Sequence, residues 1–141
     1  MIKTYLPKIV LDTGVLLTFF NRLDPKHQEI KAGFMALQQM HTRLIVPSCV
    51  VLETSKRLLF DVNTQAMQIA TIAMLEEMEI PDTTSDSIWE ALQLIQNLNH
   101  WTASLEDAIV INTALTLNAP VWTMNYRDFA AIKNLQFWSP E

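Results

Sequence analysis

The chain has little glycine and almost no cysteine: two glycines and one cysteine in 141 residues. So few glycines exclude a collagen-like repeat or a flexible linker protein, and an apolar content of 50% argues against disorder. The lone Cys49 allows neither an internal disulfide nor a cysteine-based zinc site. No apolar run approaches the roughly 20 residues that span a bilayer. The first residues also lack the apolar segment and small-residue cleavage site of a secretory signal. An excess of positive charge is missing too. Ten Lys and Arg against fifteen Asp and Glu give a net charge of −5, which does not advertise a generic polyanion binder. The expectation is a soluble, cytoplasmic protein with no membrane association, folded as one domain over residues 1–141 around a sizeable core.

What is present begins with Lys8-Ile9-Val10-Leu11-Asp12-Thr13-Gly14-Val15-Leu16-Leu17. A short apolar run, too brief for a helix, ends in a carboxylate, a hydroxyl and a glycine before a second apolar run begins. This predicts a buried strand over 8–12 feeding a helix over 13–20, with Asp12 at the sheet edge where α/β proteins bind ligands. Pro25 is expected to open a helix that reaches about His41. The short apolar Leu44-Ile45-Val46, two of its residues β-branched, predicts a second strand, and Pro47-Ser48 a helix through Phe60. Asn63-Thr64 begins a helix to Met78, followed by a short strand near Glu79-Ile80. Caps among Thr83–Ser87 start a helix to about Asn99, and Ser104 starts another to about Asn118. Val121-Trp122-Thr123 predicts a strand, Tyr126–Asn134 a short helix and Leu135–Trp138 a last strand. Strands alternating with helices predict an α/β fold, a three-layer α/β/α sandwich with a mostly parallel, roughly five-stranded sheet.

Four acids fall where such a sheet would gather them: Asp12 after the first strand, Glu53 in the helix after the second, Asp107 in the first turn of the Ser104 helix, and Asp128 after Val121-Trp122-Thr123. Each has a plain structural role available. Asp12 can cap a helix, Glu53 can pair with Arg57, and Ser104…Asp107 and Asn125…Asp128 have capping-box spacing. Together, four ionised carboxylates repel one another unless a hard divalent cation holds them. An all-oxygen set without histidine suits Mg²⁺ or Mn²⁺ and points to phosphodiester hydrolysis more than to zinc peptidase chemistry.

Ile9–Leu16, Val46–Glu53, Ser104–Ala114 and Val121–Phe129 resemble the successive acidic motifs of PIN-domain nucleases, and the compact size is similar to the VapC-type toxins of toxin–antitoxin pairs. The resemblance implies a metal-dependent endoribonuclease that cleaves RNA by a metal-activated water, with Mg²⁺ or Mn²⁺ held by Asp12, Glu53, Asp107 and Asp128. It implies that Thr13, beside the first acid, orients water or a substrate phosphate. Partners implied are an RNA substrate, an antitoxin protein and a second copy of the chain. Two departures stand out. Gly14 occupies a position where asparagine is frequent, and Asn125 one where some members carry an acid. The fourth ligand is therefore Asp128, Asn125 through its carbonyl, or a water network. The alternative is a PIN fold kept as a binding or scaffold module with weak or no nuclease activity.

Other residues have two readings each. The helix from Asn63 to Met78 is apolar on more than one stripe, which suits burial by two neighbours or a docking surface for a partner helix or another subunit. Lys56, Arg57, Arg127 and Lys133 are solvated charges or phosphate contacts. Trp101 is a packed core or rim residue, or a stacking platform for a base.

Overall fold

A computed structural model describes residues 5–140. Its elements in order are β1 (Lys8–Leu11), α1 (Thr13–Phe20), α2 (His27–Gln39), β2 (Arg43–Ile45), α3 (Ser48–Asp61), α4 (Thr64–Glu77), α5 (Ser85–Gln96), α6 (Leu105–Leu117), β3 (Val121–Trp122) and α7 (Tyr126–Phe129). The three strands lie in the order β2-β1-β3, both pairings parallel. Ile9, Val10 and Leu11 are wholly buried because β1 is flanked by a strand on each side and covered by helices. The chain leaves β1 to build β2 on one side and returns to build β3 on the other. The C-terminal end of β1 is thus a topological switch point, and Asp12 is the residue that stands there.

The expected five-stranded sheet is corrected to three strands among the described residues. Each of the other two expected strands makes one parallel bridge, Glu79 to Ile45 outside β2 and Phe137 to Val121 outside β3. The physical reason is local. Pro81 and Pro140 follow within three residues of these bridges, and a proline has no N–H to carry a ladder onward.

Two helix boundaries also shift. Asp24 accepts the Lys26 N–H on its side chain at 2.9 Å and the His27 N–H on its carbonyl at 3.0 Å. The Pro25 segment is therefore a turn, and α2 starts at His27. The helix expected to reach Asn134 ends at Phe129, and tight turns carry the chain onward to Leu135.

The core gathers Ile9, Leu11, Leu16, Leu37, Val46, Val50, Met74, Ile111 and Phe129. Gly33 lets α2 close on β3. A methyl group there would meet the Trp122 ring at 2.5 Å. Burial of α4 by two neighbours does not occur. Only Ala70 and Met74 of α4 are buried, against α3, while Ile69, Ile72 and Leu75 are each more than half exposed. No helix among the described residues is long and apolar enough to cross a membrane.

Candidate active site

The site grows from the end of β1. The Asp12 backbone N–H donates to the Trp122 carbonyl at 3.2 Å, which docks this residue to β3. Its side chain caps α1, with Oδ1 accepting the Thr13 N–H at 2.8 Å. Oδ2 accepts the Thr123 hydroxyl at 2.6 Å, and the Thr123 oxygen in turn accepts the Asn125 N–H at 2.9 Å. A backbone donor, a hydroxyl and a carboxylate are thus chained in one direction, so each bond polarises the next.

Asp12 is 3% exposed. Burial pushes its carboxyl from 3.8 up to about 7, assisted by the negative charge of Asp107 and opposed by the bonds from Thr123 and Thr13. Asp107 is the third helical residue of α6. Its Oδ2 accepts the Ser104 N–H and its own N–H donates to the Ser104 hydroxyl, both at 3.1 Å. The plain capping-box reading is therefore correct, and the same carboxylate also borders the pocket in which Asp12 sits.

Thr13 donates its hydroxyl to Glu53 Oε1 at 2.5 Å, tying α1 to α3. Burial raises Glu53 above the ordinary glutamate value. The Thr13 bond and Arg57 oppose that shift, and Glu106 and Asp107 add to it. Glu106 therefore acts on this site although the helix turns it aside from Asp107. The pocket is about 340 Å³ and is walled by Asp12, Thr13, Glu53, Arg57, Asp107 and Asn125, with Gly14, Ser104 and Met124 completing it.

Asp128 is not part of that wall. It lies in the first turn of α7, accepts the Thr102 hydroxyl at 3.3 Å and borders a separate cleft. The residue of the last motif that borders the acid pocket is Asn125. Thr123, set down from sequence only as the end of a strand, was missed. Its signal was a hydroxyl at the sheet edge, in the strand next to the one that delivers Asp12. Arg57 is the only Lys or Arg on the pocket wall among the described residues.

Among the described residues, no three His, Cys, Asp or Glu side chains are grouped closely enough to hold one metal between them. The donors nonetheless fit a hard cation. Mg²⁺ is typically held by one or two carboxylates and fills its remaining positions with water. The charge of Asp107 adds to the raised proton affinity of Asp12 across the pocket, a conflict that such a cation relieves.

The whole arrangement has relatives. A family model of the PIN domain matches residues 9–135. No curated protein sequence matches. Among solved structures, the fold is similar to that of VapC20 from Mycobacterium tuberculosis, a sarcin–ricin loop cleaving toxin, with a TM-score of 0.82 at 17% identity, covering 94% of this chain and 99% of that one. It is also similar to VapBC2 from Rickettsia felis bound to a promoter DNA fragment (TM-score 0.74, 18% identity, 95% and 99% covered). A toxin–antitoxin complex from Klebsiella pneumoniae matches with a TM-score of 0.64 at 23% identity, covering 90% and 94%. With the family match running from the middle of β1 to beyond α7, the chain belongs to the PIN domain family.

Proposed function

We propose that this PIN-domain protein is a metal-dependent endoribonuclease of the VapC type, acting as the toxin of a toxin–antitoxin pair. The observation that carries this reading is the pairing of buried Asp12 with Asp107 across an oxygen-lined pocket at the switch point of a parallel sheet. A Mg²⁺ or Mn²⁺ bound there would supply a water of lowered pKa and positive charge for the leaving oxygen.

The chain's own residues do the rest. Asp12 and Asp107 hold the cation, and the Thr123 hydroxyl and Thr13 N–H fix the Asp12 carboxylate so that both oxygens keep one orientation. Glu53, anchored by Thr13, presents a third carboxylate to water in the pocket. Arg57 offers the wall's guanidinium to a phosphate, which suits bidentate contact. Asn125 takes the place at the pocket that sequence reasoning shared between it and Asp128.

The partner reading has support of its own. Leu52 and Phe60 of α3 and Ile69, Ile72 and Leu75 of α4 are all exposed, on two helices that pack against each other. An antitoxin helix or a second copy of the chain would be its occupant, and several of the structural relatives are toxin–antitoxin complexes.

The test is cleavage of total RNA with Mg²⁺ or Mn²⁺, with EDTA as control. Asp12→Asn and Asp107→Asn are each expected to abolish cleavage while circular dichroism shows an unchanged fold. Undiminished cleavage by either variant removes the assignment. One observation favours the scaffold reading instead, namely the lack of a three-acid group at the site among the described residues. Mn²⁺ titration separates the two: a scaffold shows no saturable site that Asp107→Asn removes.

A further inference from the structure

Beside the acid pocket lies a second cleft of about 500 Å³ that the proposed chemistry leaves unused. Leu98, His100 and Trp101 from the loop between α5 and α6 form one wall, and Arg127, Asp128 and Ala131 form the other. The two concavities are neighbours along both chain segments. Thr102 borders this cleft and Ser104 the acid pocket, while Arg127 borders this cleft and Asn125 the acid pocket. A strand lying across Asp12 and Asp107 therefore has the second cleft within reach.

Trp101 is the fixed part of that cleft. It packs against both clusters of the hydrophobic core, so its ring plane is set by the interior and not by the loop. Its indole nitrogen is buried without a hydrogen-bond partner. A tryptophan kept only to fill a core ordinarily places that N–H on an acceptor. This one leaves its N–H unpaired and still borders the cleft.

The cleft's chemistry selects among ligands. The carboxylate of Asp128 repels a phosphate, which argues against a second phosphate site. An aromatic ring beside a guanidinium donor and a carboxylate acceptor matches a planar base, whose edge carries both donors and acceptors.

We propose that this cleft is the subsite for one nucleobase of the substrate strand, next to the phosphate held at the acid pocket, stacked on Trp101 with its polar edge toward Arg127 and Asp128. The proposal rests on the nuclease reading for the identity of the strand. It gives Asp128, the motif acid that stands away from the acid pocket, a role in choosing the base.

The test uses the full chain in Mg²⁺ and fluorescein-labelled hexaribonucleotides that differ only at one central position, which carries A, C, G, U or no base. Fluorescence anisotropy is read before cleavage begins, with probe integrity checked on a gel. Wild-type protein is expected to bind the best base about 5- to 150-fold more tightly than the abasic probe, the range for one stacked base. Trp101→Ala is expected to lose that difference and Trp101→Phe to restore most of it. Asp128→Asn is expected to reorder the four bases and move the cut positions in total RNA. Equal wild-type affinity for the base and abasic probes, including no measurable binding of either, overturns the subsite. So does a Trp101→Ala variant that keeps the full difference. The two readings fail separately: cleavage that needs Asp12 and Asp107 without base dependence leaves the nuclease and removes the subsite. Base-dependent binding through Trp101 without any cleavage does the reverse.

Discussion

The hydroxyl of Thr13 donates to Glu53 Oε1 at 2.5 Å, across forty residues of sequence. One bond thus joins the first turn of α1 to the second turn of α3 and decides where the third carboxylate of the pocket stands. Thr13→Val is expected to free Glu53, raise its proton affinity further and reduce Mg²⁺-dependent RNA cleavage by about 10- to 100-fold, from roughly 1.5–3 kcal/mol for a hydrogen bond to a charged group. Thr13→Ser keeps the hydroxyl and should retain most of the rate. Initial rates for the two variants, side by side, make the comparison.

Asp12 yields a prediction of opposite sign for stability. Its carboxyl titrates near 7 in the metal-free fold and near 3.8 when unfolded, so between those values the folded chain binds more protons. Its contribution to the stability of the metal-free fold should be largest at the acid end of that window, fall as pH rises through it, and level off above about 7. Asp12→Asn removes the buried charge, leaving one of its two donors without an acceptor, and should flatten this pH dependence. Thermal melts in EDTA from pH 4.5 to 8 check both statements. A wild-type melting temperature that climbs with pH would contradict them.

The same carboxyl links metal to protons. Mg²⁺ uptake at pH 6.5 should release part of a proton from Asp12, visible as a binding enthalpy that changes with the ionisation enthalpy of the buffer. At pH 8.5 the dependence should vanish. Asp12→Asn should show neither.

Thr123 and Asp128 are expected to part company. Thr123→Val strips the Asp12 carboxylate of its hydroxyl donor and should weaken Mn²⁺ binding by about tenfold. Asp128→Ala should leave Mn²⁺ affinity within about twofold of wild type, because its side chain serves Thr102 and the neighbouring cleft. Calorimetric titration of both variants reads the contrast.

Gly33 tests the fold apart from the site. Alanine there gains helix propensity of about 1 kcal/mol, yet its methyl would sit 2.5 Å from the Trp122 ring. Overpacking should prevail, with Gly33→Ala destabilising by about 1–3 kcal/mol in urea unfolding. Gly14 is the counter-case. A methyl there meets only Met124, at 3.7 Å, so Gly14→Ala should fold normally.

Much of this was legible in the residues, and what was hidden has physical causes. An apolar run ending in Asp12 has one economical fold, and the structure makes it β1 with Asp12 capping α1. Capping at Asn63, Thr84 and Ser104 followed from side chains that compete well for free N–H groups. The edge strands were overcounted because a β-branched or aromatic residue before a proline has strand composition without a ladder to join. Thr123 escaped notice because a hydroxyl at a strand end is indistinguishable in sequence from a turn residue. Its partner lies 111 positions away. Asp128 was grouped with the acids by its distance from a strand, but that distance does not say which of two adjoining concavities a short helix will face.

That long separation governs when the protein becomes itself. Asp12 is made 111 residues before Thr123, which holds its carboxylate, and Asn125, which borders it, follows Thr123 by two more. β1 can pair with β2 as soon as both are made, but β3 is made only after α3, α4, α5 and α6. A nascent or prematurely terminated chain therefore lacks the finished pocket. For a protein proposed to cut RNA, the pocket is complete only once β3 and Thr123 have been made.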